Sequence, residues 1–428
     1  MVAALALMLV QSATAVHAQA GVDAVSQRTF VQAGQVLLDP GSGRVERHKT
    51  IVIESGKVVE VRDGFQGEGQ VVDLRDRFVL PGLIDSHTHI TFESGPSADM
   101  DSVKKTSVDR ALDGVLYARR TLYAGFTTIA DLGVDPEATL ALRDAIAAGK
   151  TLGPRIIAAV VVSAHGGHGD IHGFRPDVMR LLAPPGLCSG ADDCSRTVRQ
   201  AVQRGADLIK IASTGGVMSN SASGVGQQMS DEELAAIVRT AHRLGRRVVC
   251  HAHGTDGINA ALRAGVDAIE HGTYLDAESI RLLKANDAYL VPTLLAGETT
   301  RQLARSAAWM PPAVKQKALE VAPNMMSALK RAHESGVKIA FGTDSGVSHH
   351  GDNAREFALM VQAGLAPLDA IRSATVWGAA HNGLSAEMGS IAPGKIADLI
   401  AVDGDPLRDI TELERVGFVM QAGHIVKQ

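Results

Sequence analysis

The sequence predicts an α/β protein, a TIM-like (β/α)8 barrel joined to a small β-sandwich domain built from both chain ends. Through the middle of the chain, eight short apolar strands alternate with longer Ala-, Leu- and Arg-rich helical segments. The flanks on either side carry strand-and-turn patterns in place of that alternation. The length of 428 residues suits a barrel with one small appendage and needs no third unit.

Residues 1–20, MVAALALMLVQSATAVHAQA, lack Lys, Arg, Asp and Glu, run apolar from Val2 to Val10 and end Ala18-Gln19-Ala20. Such a stretch predicts a secretory signal with an A-x-A cleavage site, and hence a periplasmic or secreted protein. The basic residue that usually opens a signal is missing. Residues 21–80 and 391–428 read as antiparallel strands of one small β domain: VLLD, TIVIESGKVVEV and QVVDL in the first, IAPGKIADLIAV and GFVMQAGHIVK in the second. Residues 81–390 form the barrel, with strands LIDSHTH, TTIADL, RIIAAVVVS, LIKIAS, RVVCHAH, AIEHG, YLVPTL and IAFGTDS. Between them the segment Ser230 to Leu244 predicts a helix. Ser230 is its N-cap, Asp231, Glu232 and Glu233 make an acidic first turn, and Gly245 ends it.

Composition narrows the function. Hydrophobic residues make up 45% and charged residues 21%, as in an ordinary globular enzyme. The net charge of −5 offers no basic face to a phosphate backbone, and aromatic residues are only 4%, so nucleic-acid binding is excluded in favour of a small-molecule partner. No stretch of about 18 apolar residues suggests a membrane span. Cys188 and Cys194 flank SGADD and are placed to close a short disulfide loop, while Cys250 in RVVC reads as a small core residue. Sixteen histidines are the unusual quantity.

Several of those histidines fall at the C-terminal ends of barrel strands, where barrel enzymes build their sites. His87 and His89 are two apart, so strand alternation turns both into the barrel mouth. Lys210 sits in LIKIAS among apolar neighbours, where a lone ammonium is costly. Carbamylation by CO2 would convert it to a carboxylate-like bridge between two metals, and it needs the neutral amine that desolvation favours. His251, His271 and Asp344 end three further strands and complete a six-ligand set for two divalent ions, zinc above all. His253 faces the mouth by the same alternation as His251. The deeper His251 is taken as the ligand and His253 as the group that polarises a substrate carbonyl. His165, His168 and His350, in Gly-rich loops after strands three and eight, are candidate partners for a substrate carboxylate, with His253 beside them.

With these residues in view, PGLIDSHTH, DLIKIASTGG, VVCHAHG, AIEHGT, FGTDSGV and APGKIADLIAVDGDPL together resemble the amidohydrolase superfamily over nearly the whole chain. HAHG, EHGT and SHHGDNAREF resemble its prolidase-like and ochratoxinase-like subgroup. The resemblance implies a carbamylated Lys210, ligands at His87, His89, His251 and His271, a catalytic Asp344 and a homo-oligomer, often an octamer. It also implies hydrolysis of dipeptides or N-acyl amino acids, ochratoxin-type N-acyl phenylalanine among them, by a hydroxide shared between two metals. Two alternatives stand beside it. One is a deaminase or cyclic-amide hydrolase on the same barrel; the other is a periplasmic binding protein that captures peptides without turnover.

Overall fold

The computed structural model describes residues 28–219 and 224–428; the expected signal lies outside them. Among the described residues the strands form two sheets.

The first sheet contains β1 (Thr29–Val36), β2 (Glu46–Glu54), β3 (Lys57–Asp63) and β4 (Gln70–Pro81) from the start of the chain. From the other end come β14 (Leu399–Val402), β15 (Phe418–Gln421) and β16 (His424–Lys427), in the order β16-β15-β14-β4-β1-β2-β3. The two chain ends therefore join as expected, across β4 and β14. One pairing departs from the antiparallel expectation, since β1 and β4 run parallel. The β2–β3 hairpin occupies one edge of β1, so β4 can pair only with the other. To reach it, residues 64–69 cross over both strands: the Gln66 N–H donates to Thr50 Oγ1 at 2.9 Å, and Gln32 Nε2 donates to the Gln66 carbonyl at 3.3 Å. The sheet then curls until the segment before β14 meets the hairpin, with the Val58 N–H donating to the Lys395 carbonyl at 2.9 Å. Val31, Ile51, Val72, Leu399 and Phe418 are buried inside it.

The second sheet is the barrel. Its parallel path runs β5 (Leu83–Thr88), β6 (Phe126–Asp131), β7 (Arg155–Ala164), β9 (Leu208–Ala212), β10 (Val248–Ala252), β11 (Ala268–His271), β12 (Tyr289–Val291) and β13 (Lys338–Ile339). A two-residue β8 (Leu187–Cys188) pairs with the end of β7. All eight expected barrel strands are present. The stretch after β13 closes the ring against β5: the Ser86 N–H donates to the Phe341 carbonyl at 2.8 Å and the Asp344 N–H to the His87 carbonyl at 2.7 Å. Outward residues such as Ile209, Ile211, Ile269 and Leu290 are fully buried against the helices, each worth roughly 1.5–3 kcal/mol. Inward positions Ala130, Ala159, Val249, Ala268 and Ala340 form a separate cluster of mostly small side chains.

Local signals set the connections. Helix Asp231–Arg243 starts at Ser230 in a full capping box with Glu233, as its sequence predicts. Cys188 and Cys194 form a disulfide, and Cys250 is buried and free. No helix among the described residues is long and apolar enough to cross a membrane.

Candidate metal centre

Strand alternation carries His87 and His89 to the inside at the end of β5, Leu208 and Lys210 to the inside of β9, and Val249, His251 and His253 along β10, while an irregularity between Asp85 and Thr88 leaves Asp85 paired with the outward Ile129, off the cavity wall. On β11 the same rule places Ala268 and Glu270 inside, and His271 should point away. Yet His271 lines the same cavity, because its backbone turns left-handed (φ 69°) at the strand end. Asp344 (φ 58°) and Thr293 (φ 49°) share that conformation. A non-glycine residue held there costs on the order of 1–3 kcal/mol, so the surrounding contacts must enforce it.

The candidate ligands fall into two adjoining groups. Ligand atoms of His87, His89 and Asp344 lie within 4.8 Å of one another, and so do those of His251, His253 and His271. The His87 and His271 rings, 5.2 Å apart, join the groups. His253 thus enters the cluster beside His251, although strand depth favoured His251 alone. Lys210 lines the same cavity of about 950 Å³.

Hydrogen bonds behind the rings fix their tautomers. His87 Nδ1 lies 2.7 Å from Glu270 Oε2 and donates to it when Glu270 is ionised, and His89 Nδ1 donates to the Gly133 carbonyl. Thr293 Oγ1 already donates to the Pro292 carbonyl (2.8 Å), so it must accept from His271 Nδ1 at 2.6 Å. Each of these rings keeps Nε2 as a lone pair for the cavity. His251 is reversed: its Nε2 donates to the Gly215 carbonyl at 3.3 Å, leaving Nδ1. His253 Nδ1 lies 2.8 Å from Thr273 Oγ1.

Charge follows burial. Burial, reinforced by Lys210 and neighbouring histidines, holds His87, His251 and His271 neutral, well below the usual imidazole range. His168 and His253 are likewise pushed down to about 3 by burial and nearby positive charge. The Lys210 amine is lowered by burial against the pull of Glu270 and Asp344, while Glu270 is pushed up to about 8 by burial. Burial also opposes charge on His89, but Asp344 outweighs it and raises that imidazole.

These bonds leave an imbalance that a cation would resolve. Asp344 Oδ1 is buried without a well-formed hydrogen bond, 3.0 Å from His89 Nε2 and 3.5 Å from His87 Nε2. With both Nδ1 atoms acting as donors, three lone-pair atoms converge on one point unless a proton or a metal lies among them. Imidazole with carboxylate is a donor set suited to zinc and similar divalent ions, so the residues fit such ions.

The remaining candidates divide. His168 lines the cavity, stacks on His251 at 4.1 Å and bonds Ser219 Oγ through Nδ1 at 2.6 Å. Lys317 fixes that loop by donating to the Gly216 and Ser219 carbonyls at 2.9 and 2.6 Å. His165 is exposed and bonds Ser189, outside the cavity lining. His350 is buried behind the wall, stacked on Tyr117 at 4.7 Å and bonded to the Phe92 carbonyl at 2.8 Å. The structure therefore brings His168 and His253 to the site, and leaves His165 and His350 outside it.

Sequence reading missed Asp85, Glu270, Thr273, Thr293, Asn353 and Glu356, the supports behind the ligands. All stand in the quoted strand and loop motifs, and the signal was polar residues inside apolar runs, such as Glu270 in AIEH and Asp85 in LIDSH. It also missed Arg110, which lines the cavity with its nearest acid, Asp135, 3.9 Å away.

The amidohydrolase family model matches residues 78–426. The chain is 31% identical to ochratoxinase of Aspergillus niger over 435 aligned residues, 93% of this chain and 86% of that protein. Among solved structures it resembles an Xaa-Pro dipeptidase with bound methionine in the active site, with 38% identity, a TM-score of 0.88, and 94% of this chain and 100% of that one covered. It also resembles a prolidase complexed with N-methylphosphonate-L-proline, at 31% identity and a TM-score of 0.85 over the same shares. The chain belongs to the amidohydrolase family, in its prolidase- and ochratoxinase-like subgroup, and is a hydrolase of amide bonds.

Proposed function

We propose that the chain is a binuclear metal-dependent amidohydrolase that cleaves dipeptides or N-acyl amino acids, ochratoxin-type N-acyl phenylalanines included. The convergence of His87 Nε2 and His89 Nε2 on Asp344 Oδ1 at the cavity carries this reading. His87, His89 and Asp344 would hold one ion and His271 with His251 the other. Lys210, whose amine burial shifts toward the neutral form, would add to CO2 and release a proton, giving a carbamate that would add carboxylate-like oxygens to the candidate donor set. Bound divalent ions, zinc in our reading, would acidify water and polarise the amide carbonyl.

The chain's own groups supply the rest. Asp344 would take the proton from the attacking water and pass it to the departing nitrogen, which leaves poorly unprotonated. If the Thr273 hydroxyl donates to His253 Nδ1, His253 keeps an Nε2–H for the carbonyl oxygen as it gains charge. His168 and Arg110, both on the cavity wall, are donors within the site for a substrate carboxylate. Apolar neighbours such as Val217, Met218, Val321 and Met325 would exclude water from the acyl or side-chain portion.

The test is to incubate zinc-loaded protein with a panel of dipeptides and N-acyl amino acids, including an ochratoxin-type N-acyl phenylalanine, and to identify the released amine by mass. Release of the amino acid is expected. Inertness toward every member removes the assignment, and release of ammonia redirects it to a deaminase. We further propose a homo-oligomer, up to an octamer, testable by light scattering, and export of the chain, testable by the N-terminus of the protein recovered outside the cytoplasm.

A further inference from the structure

The run SHHGDNAREF supplies none of the candidate ligands, yet two of its residues reach the site from behind. Asn353 Nδ2 donates to Asp85 Oδ2 at 2.8 Å, and Asp85 in turn accepts from the His87 N–H at 3.1 Å. Glu356 is fully buried and has no cationic partner among the described residues. Its two oxygens accept from consecutive backbone N–H groups, Leu294 at 2.8 Å and Leu295 at 2.6 Å, the first residues of helix Leu294–Ser306. Immediately before them stands Thr293, a β-branched residue in the left-handed conformation. Such a residue does not adopt that backbone unaided. In it, the Thr293 hydroxyl donates to the Pro292 carbonyl and accepts from His271 Nδ1.

We propose that Glu356 is a positioning residue for the candidate metal centre: by anchoring the Leu294 and Leu295 N–H groups it holds Thr293 left-handed, and Thr293 thereby fixes His271 with Nε2 turned to the cavity. This rests on the metal-dependent reading of the site. The chain of contacts is continuous. A carboxyl group buried without a countercharge is costly to keep unless its hydrogen bonds enforce something else, and here they enforce a strained turn whose hydroxyl sets one candidate ligand. Asn353 does the corresponding work for the His87 side through Asp85, so one turn of chain supports both halves of the cluster.

The full-length chain, stripped of metal, is titrated with Zn2+ against a competing chelator as wild type, Thr293→Val, Thr293→Ser and Glu356→Gln. Apo-protein melting is followed alongside. Wild type binds two ions. Thr293→Val keeps the shape and loses the hydroxyl, and is expected to weaken one of the two sites about 10–100-fold while leaving the other within about 2-fold. Thr293→Ser restores it, a rescue that a purely structural role would not produce, and Glu356→Gln weakens the same site. Should Glu356→Gln fail to fold, the two Thr293 variants decide. Wild-type affinity at both sites in Thr293→Val overturns the inference. A wild type that binds no zinc overturns the functional reading itself, and the two failures are therefore distinct.

Discussion

Replacing Asp85 with Asn in the metal-stripped protein tests the network behind His87 most directly. Asp85 is fully buried, and Oδ1 accepts from the His87 and Thr343 N–H groups, both at 3.1 Å, while Oδ2 accepts from Thr343 Oγ1 at 2.6 Å and Asn353 Nδ2 at 2.8 Å. Burial outweighs these bonds and lifts the carboxyl from 3.8 to about 6. A carboxyl raised in the folded state favours folding in its protonated form, so the cost of its charge is full above the folded value and vanishes below the unfolded one. That cost is about 3 kcal/mol at pH 7.5 and about 1.6 kcal/mol at pH 5. Asn carries no such charge. It does turn an NH2 group toward the donor Asn353 Nδ2, a pH-independent loss of about 1–3 kcal/mol. Urea unfolding at the two pH values is the assay. The stability of wild type minus that of Asp85→Asn should rise by about 1.4 kcal/mol on going from pH 7.5 to pH 5 from Asp85 itself, with groups that do not feel its charge cancelling between the two proteins. A difference that stays flat, or falls, refutes the account of Asp85 as a buried charge held by donors.

Lys210→Ala should lose most bound metal and activity and regain part of both with short carboxylic acids, which metal analysis and an amine-release assay would follow; full activity without added acid removes the carbamate. Gly216→Ala would bring a Cβ to 2.2 Å from the His168 ring, so His168 must move away from His251. We expect kcat/KM to fall at least about 10-fold with melting temperature nearly unchanged, since 1 Å of misplacement can cost about 100-fold. Cys188→Ser opens the loop to Cys194, and under oxidising conditions denaturant unfolding should show a loss of about 2 kcal/mol, the chain entropy of so short a loop.

The barrel, the joining of the chain ends and most of the candidate ligands gathered at the cavity were legible in the sequence alone. This is so because alternation is a local rule: residues two apart share a face, and His87, His89, Lys210 and His251 all obey it. Helix Asp231–Arg243 was legible for the same reason, its cap being written in four consecutive residues. Tertiary structure decided what local rules cannot carry. On β11, alternation gives the inward position to Glu270, which lies behind His87, and only the left-handed turn at His271 brings that candidate ligand to the cavity as well. Which loop histidines reach the site depended on how far each loop folds over the mouth, and this admitted His168 while leaving His165 in solvent and His350 behind Tyr117. The supports at Asp85, Thr293 and Glu356 stayed hidden for a physical reason: a buried polar group is defined by its partner, and these partners lie up to 268 residues away in the chain.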